Sequence, residues 1–148
     1  MKLKQDLLNI CFQHVNKRIS DYNNEITLIK ESIESNDKVS NEEDDSGNSK
    51  LLDDLEKNMN YLNEAQKTKE HLGMVKPNLV SDTVVLGSIV KTDSINFFIA
   101  TSIGKVDLDK NEYYIISILS PIGQLMKLKG VGHSFEFNGK HYKIKAVL

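Results

Sequence analysis

Four consecutive carboxylates, Glu42, Glu43, Asp44 and Asp45, are the densest cluster of chemically capable side chains in the sequence. Carboxylates this close repel one another, so the run stays exposed unless a cation or a basic partner gathers it. Taken alone, a four-acid run followed by Ser46, Gly47 and Asn48 reads as a solvated turn. Other residue types offer less. His14, His71, His133 and His141 do not fall at zinc-ligand spacing, and a single cysteine makes no thiolate cluster. Cys11 lies on an apolar stripe and reads as a small buried hydrophobe, not a nucleophile. There is no phosphate-cradling glycine loop; Gly130-Val131-Gly132 reads as a turn.

Composition sets the frame. The chain has 148 residues, 39% apolar and 27% charged, with net charge −2; this fits a soluble globular protein and gives no sign of bulk nucleic-acid binding. No apolar run approaches the roughly 18–20 residues of a membrane helix, and no signal-peptide core follows the charged start. One cysteine excludes an internal disulfide and fits a cytoplasmic location. The charge is unevenly spread. Ten acids stand against two lysines between Glu31 and Glu56, whereas Thr83 to Leu148 holds eight lysines and five acids.

The elements that must carry the acidic run follow from periodicity. Leu8, Cys11, Val15, Ile19, Tyr22, Ile26, Ile29 and Ile33 recur at steps of three and four, which predicts a helix from about Leu3 to about Ser35 with one narrow seam. Lys38 to Ser49 reads as a loop. Leu52, Leu55, Met59 and Leu62 then resume the rhythm, Leu51 and Ala65 widen it, Leu72 closes it, and Gly73 and Pro77 end the helix. Two such helices form an antiparallel hairpin. If Leu72 packs near His14, the midpoint falls near Glu43, so the acids sit at the turn. The expected organisation is a hairpin over 1–75 with an acidic tip near 40–48, a linker over 76–82, and a β domain over 83–148.

After Pro77 the period becomes two. Val84–Val90, Phe97–Thr101 and Tyr113–Ser117 read as strands, and Asn138-Gly139 is a hairpin turn between Ser134–Phe137 and His141–Lys145. Ser120 and Pro121 start a short helix whose Ile122, Leu125 and Met126 are expected to face the sheet. The fold class is α+β: an antiparallel two-helix coiled coil, then a small antiparallel sheet with one short helix.

The stretch Ile118-Leu119-Ser120-Pro121-Ile122-Gly123-Gln124-Leu125-Met126, then Val131-Gly132-His133, then Tyr142-Lys143-Ile144, resembles the C-terminal domain of the GreA/GreB transcription elongation factors. Val85-Leu86-Gly87-Ser88-Ile89-Val90 is similar to that domain's opening strand. The resemblance covers roughly Val84 to Leu148, with a hairpin in the expected order before it. There are departures: Leu128 stands where the family has Gly, Gly130 where it has Lys, and His133 where it has Asp. Asp54-Leu55-Glu56-Lys57-Asn58-Met59-Asn60-Tyr61 echoes the family's tip signature, but Lys57 replaces the second acid and the segment lies away from the expected tip.

The resemblance implies an FKBP-like C-terminal fold and a function. It implies RNA polymerase as partner, with the hairpin entering the secondary channel and Glu42, Glu43, Asp44 and Asp45 acting as tip carboxylates that share Mg²⁺ with the polymerase site. The metal would not be held by this chain alone, since Mg²⁺ is typically bound through one or two carboxylates while keeping its waters. The protein would stimulate transcript cleavage without being an enzyme itself, as a monomer touching nucleic acid only through the polymerase. Docking is expected at Ser120, Pro121, Ile122, Gly123, Gln124, Lys127 and Lys129. The same fold is similar to FKBP-type prolyl isomerases, but no aromatic-lined pocket with Trp is expected here. Two alternatives stand: a polymerase-binding regulator without cleavage activity, and a coiled-coil adaptor whose seams join separate chains.

Overall fold

The computed structural model describes the backbone of residues 2–39 and 45–148, and side chains outside 37–47. Two helices open the chain: α1, Lys2–Val39, and α2, Asp45–Leu72. Both run further than the expected loop allows. Residues 37–39 complete α1 and Asp45–Ser49 form the first turns of α2, so only 40–44 connect them. Helical hydrogen bonding needs no apolar residue once a seam is established, and acids near a helix N-terminus are favoured by the backbone dipole.

The chain divides into two compact units. One is Gln13–Glu70, the paired part of the hairpin. Its register is fixed by the Tyr22 and Tyr61 rings, 5.6 Å apart, and by Asn36 Nδ2 donating to Asn48 Oδ1 at 3.3 Å. Partners therefore have numbers adding to 83 or 84, close to the expected midpoint. The α1 seam is as expected: Val15, Ile26 and Ile29 are buried, and Ile19, Tyr22 and Ile33 are half-buried. The α2 seam is not. Leu52 and Met59 are 53% and 51% exposed. The inward line is instead Leu51, Leu55, Asn58, Leu62 and Ala65, again at alternating steps of four and three. Asn58 is tolerated there because its Nδ2 donates to the Asp54 carbonyl at 2.8 Å. The seams are closed within one chain.

The other unit is Met1–Phe12 with His71–Leu148. Its six strands are β1 Ile89–Thr92, β2 Asn96–Ile99, β3 Gly104–Leu108, β4 Asn111–Ile116, β5 Ser134–Phe137 and β6 Lys140–Val147, with α3, Pro121–Met126, between β4 and β5. The sheet order is β3-β4-β2-β1-β6-β5. It is mostly, not wholly, antiparallel: after β2 the chain returns as β3 one position too far, and β4 fills the gap parallel to β2. The expected strand over Val84–Val90 is broken. Ser88 N donates to the Val85 carbonyl and Val85 N to Ser88 Oγ, both at 3.0 Å, in a turn where Gly87 takes φ +90°. Only Ile89 and Val90 of that run join β1.

Both faces of the central strands are buried, as Ile89, Val90, Phe97, Phe98 and Ile99 show. Met126 of α3, with Val84, Phe135, Tyr142 and Ile144, belongs to the core on the Val90 and Phe97 side. Leu7, Cys11, Leu72 and Val75 are buried in the same unit. So is Lys4, whose Nζ donates to the Leu79 carbonyl at 2.8 Å, and burial holds its pKa below the ordinary lysine value. Among the described residues no helix is long and apolar enough to cross a membrane.

Candidate functional site

The α3 segment is built from short local interactions. Ser120 Oγ accepts from Gly123 N at 3.1 Å, capping the helix, and donates to the Ser117 carbonyl at 2.7 Å. Pro121 follows at the first helical position, where its missing N–H costs nothing. Gly123 is buried against the chain before it: a Cβ there would lie 2.3 Å from the Ser117 carbonyl oxygen. Gln124 Nε2 reaches back to the Ile118 carbonyl at 2.7 Å. Ser120, Gly123 and Gln124, all expected as partner contacts, thus have positioning work inside the fold.

Beyond Met126 the chain is pinned on two sides. Leu128 N donates to the Val84 carbonyl at 2.9 Å and Val84 N to the Lys129 carbonyl at 2.8 Å. Further on, Gly132 N donates to the Ile144 carbonyl and Ile144 N to the His133 carbonyl, both at 2.9 Å. Between these anchors Leu128 adopts φ +61°, a left-handed conformation that a leucine occupies at a cost of roughly 1–2 kcal/mol. This is the position where the sequence resemblance expects Gly. The backbone keeps the glycine conformation while the side chain stands 61% exposed.

Exposed apolar side chains gather in this stretch of sequence. Leu119 is 78%, Leu128 61% and Val131 67% exposed, and Leu125, expected to face the sheet, is 38% exposed. The short helix presents only Met126 fully to the core, with Ile122 half-buried. Lys127 and Lys129 are exposed among the leucines. The segment can offer a partner an apolar contact flanked by two cations on a backbone that needs little further ordering. Sequence reasoning found the lysines and missed Leu119, Leu125 and Val131. Val131 carries a signal: a β-branched residue between two glycines in a turn has no core to enter.

The second expected site lies mostly outside the described residues. Glu42, Glu43 and Asp44 fall there, and Asp45 is described only as the first residue of α2. Asp54, first residue of the signature-like segment, is nine residues into α2, about 14 Å along it. That segment is mid-helix and not part of the connection. Among the described residues no three His, Cys, Asp or Glu side chains are placed to hold a metal ion. Burial pushes the Cys11 thiol up to about 12, so little nucleophilic thiolate exists at neutral pH.

No family model matches the chain, and no curated protein is similar to it. Solved structures are. The chain is similar to the transcription factor Gfh1 at 13% identity and a TM-score of 0.37, covering 92% of each chain. It is similar to Gfh1 of Thermus aquaticus at 15% identity and 0.36, covering 92% of each chain. It is also similar to GreA factor homolog 1 of Thermus thermophilus at 15% and 0.36, covering 93% of this chain and 94% of that one.

One feature of the β unit lies beyond what the sequence led us to expect. An aromatic-lined cavity of about 340 Å³ is present, bounded by Phe97, Tyr114, Phe137 and Tyr142 with Ile95, Ile116 and Ile122. It contains no tryptophan; its rings come from four different strands, β2, β4, β5 and β6, which a linear reading does not bring together.

Proposed function

We propose that this protein is a Gre-type accessory factor that binds RNA polymerase, docking through the α3 segment and bringing an acidic hairpin turn to the polymerase's secondary channel. The observation that supports the reading is the hairpin register: Tyr22 pairs with Tyr61 and Asn36 with Asn48, on either side of the acidic run in the sequence. The motif resemblance of Val84 to Leu148 supplies the partner. In the docking segment, Leu119, Leu125, Leu128 and Val131 provide apolar contact, and Lys127 and Lys129 provide cations for an acidic rim.

Glu42, Glu43, Asp44 and Asp45 form an all-oxygen donor set, which suits Mg²⁺ and does not suit zinc. The polymerase's own Mg²⁺ would supply the Lewis acidity for hydrolysis of backtracked RNA. The chain's part is to bring carboxylate oxygens and orient a water, so alone it has no such activity. The closure of both seams within one chain supports a monomer over an adaptor joining separate chains.

The test has two stages. Mixed with RNA polymerase, the protein co-migrates in size-exclusion chromatography; failure to co-migrate sinks the reading. Added to backtracked complexes with Mg²⁺, it shortens the RNA, and replacing the four acids with Ala abolishes shortening while co-migration persists. A second reading, occupation of the channel without cleavage, is favoured by Lys57 in the signature-like segment and by that segment's mid-helix position. It predicts binding without shortening, and competition with an authentic cleavage factor.

A further inference from the structure

We propose that the cavity between α3 and the sheet binds a small monocarboxylate with an aromatic or branched apolar body. This is independent of the polymerase reading and concerns a different part of the β unit from the exposed leucines. The volume of about 340 Å³ lies at the low end of the roughly 300–1,000 Å³ usual for small-molecule sites. Its walls are rings held on regular strands: Phe97 lies 6.4 Å from Tyr114 and 6.2 Å, edge-on, from Tyr142. A second cavity of about 420 Å³ shares Ile116, Ile122 and Phe137 with it and continues to Ser102–Gly104, leaving room for the far end of a longer body.

The polar groups select the head of the ligand. Lys140 lines the cavity and holds its ammonium 5.5 Å from the Tyr142 ring centre. Among the described residues no carboxylate pairs with it. Tyr142 is only 7% exposed, yet its phenol finds no hydrogen-bond partner among them. No described side-chain nitrogen or oxygen is both sealed and unpaired, so that phenol oxygen keeps some solvent access, and Tyr142 is one of the residues lining the cavity. A buried phenol usually finds a partner. An ammonium without a carboxylate partner on the lining of an aromatic chamber asks for a negatively charged acceptor. A single ammonium balances the one charge of a monocarboxylate and leaves the second charge of a phosphate uncompensated.

The test uses the full chain and two probes of one shape, 4-phenylbutyrate and neutral 4-phenylbutanamide, titrated by ¹H–¹⁵N correlation spectroscopy. The acid shifts the amides of Phe97, Ile116, Ile122 and Tyr142 saturably and binds about tenfold more tightly than the amide. Lys140→Gln, a change at an exposed residue, brings the acid down to the amide's affinity, and Tyr142→Phe weakens the acid severalfold. Any of three results overturns the proposal: no saturation by about 10 mM, shifts that map away from these residues, or equal affinity for acid and amide.

Discussion

In the hairpin, Gln13–Glu70, a residue's role follows from its place in a repeat; between Ser117 and His133 each residue is held by its own particular partner. The seam tolerates Asn58 and Ala65 because Leu55 and Leu62, three or four residues away on the same line, carry the packing. The α3 segment has no such redundancy: the cap, the buried glycine, the Gln124 bond and the Val84 and Ile144 anchors each satisfy a different backbone group. The difference teaches where substitution is free. A repeat can be rewritten off its stripe, whereas a capped turn cannot be altered at its glycine.

The largest expected effect tests the second half of that contrast. Gly123→Ala forces a methyl onto the Ser117 and Ile118 carbonyls, backbone atoms that cannot step aside, and should cost more than about 3 kcal/mol by chemical denaturation. In the hairpin, Ile26→Ala removes a buried seam residue and should cost about 2–4 kcal/mol, while Leu28→Ala, two residues away and 57% exposed, should stay within about 0.5 kcal/mol. Equal losses at the two positions would break the stripe assignment. Leu128→Gly should raise stability by about 0.5–1 kcal/mol by relieving the left-handed leucine, and lower affinity for RNA polymerase about tenfold in a binding titration. A gain in stability with unchanged affinity would reduce Leu128 to an accident of sequence. Smallest, Asn60→Ala, at an exposed position of α2 off its stripe, should stabilise by a few tenths of a kcal/mol, about 0.5 at most, in thermal melts. A loss there would mean that the hairpin, too, has individually constrained positions.

Legibility in the sequence divided along similar lines. The α1 seam could be read because Val15, Ile19, Tyr22, Ile26 and Ile33 recur with no apolar residue beside them to compete. In α2 the pair Leu51 and Leu52 offered two stripes, and Met59 beside Asn58 drew the reading to the more apolar and wrong one. The Asn138-Gly139 turn was legible because its dipeptide is built for positive φ, and both residues adopt it. Asp109 and Lys110 make the equivalent turn between β3 and β4, at φ +51° and +66°, without such a signature, and β3 went unseen with it. Register across non-consecutive strands is not written locally. Hence neither the parallel β2–β4 pair nor the four-strand aromatic cavity was foreseen. The docking lysines were legible as charge, but Leu125 was credited to a core that a six-residue helix has too little surface to share. Ser120 and Pro121 were read correctly as a helix start.

One boundary has a consequence for how such molecules change length. The sheet-bearing unit takes in the chain up to Phe12 and again from His71, and those two numbers add to 83, the same sum that pairs Tyr22 with Tyr61. Everything between is the hairpin, whose two rails pair as Tyr22 does with Tyr61. Removing seven residues from each rail at facing heights would therefore shorten the hairpin by about 10 Å and leave every remaining rung opposite its mate. The length of the hairpin, on this plan, is a quantity adjustable in whole heptads.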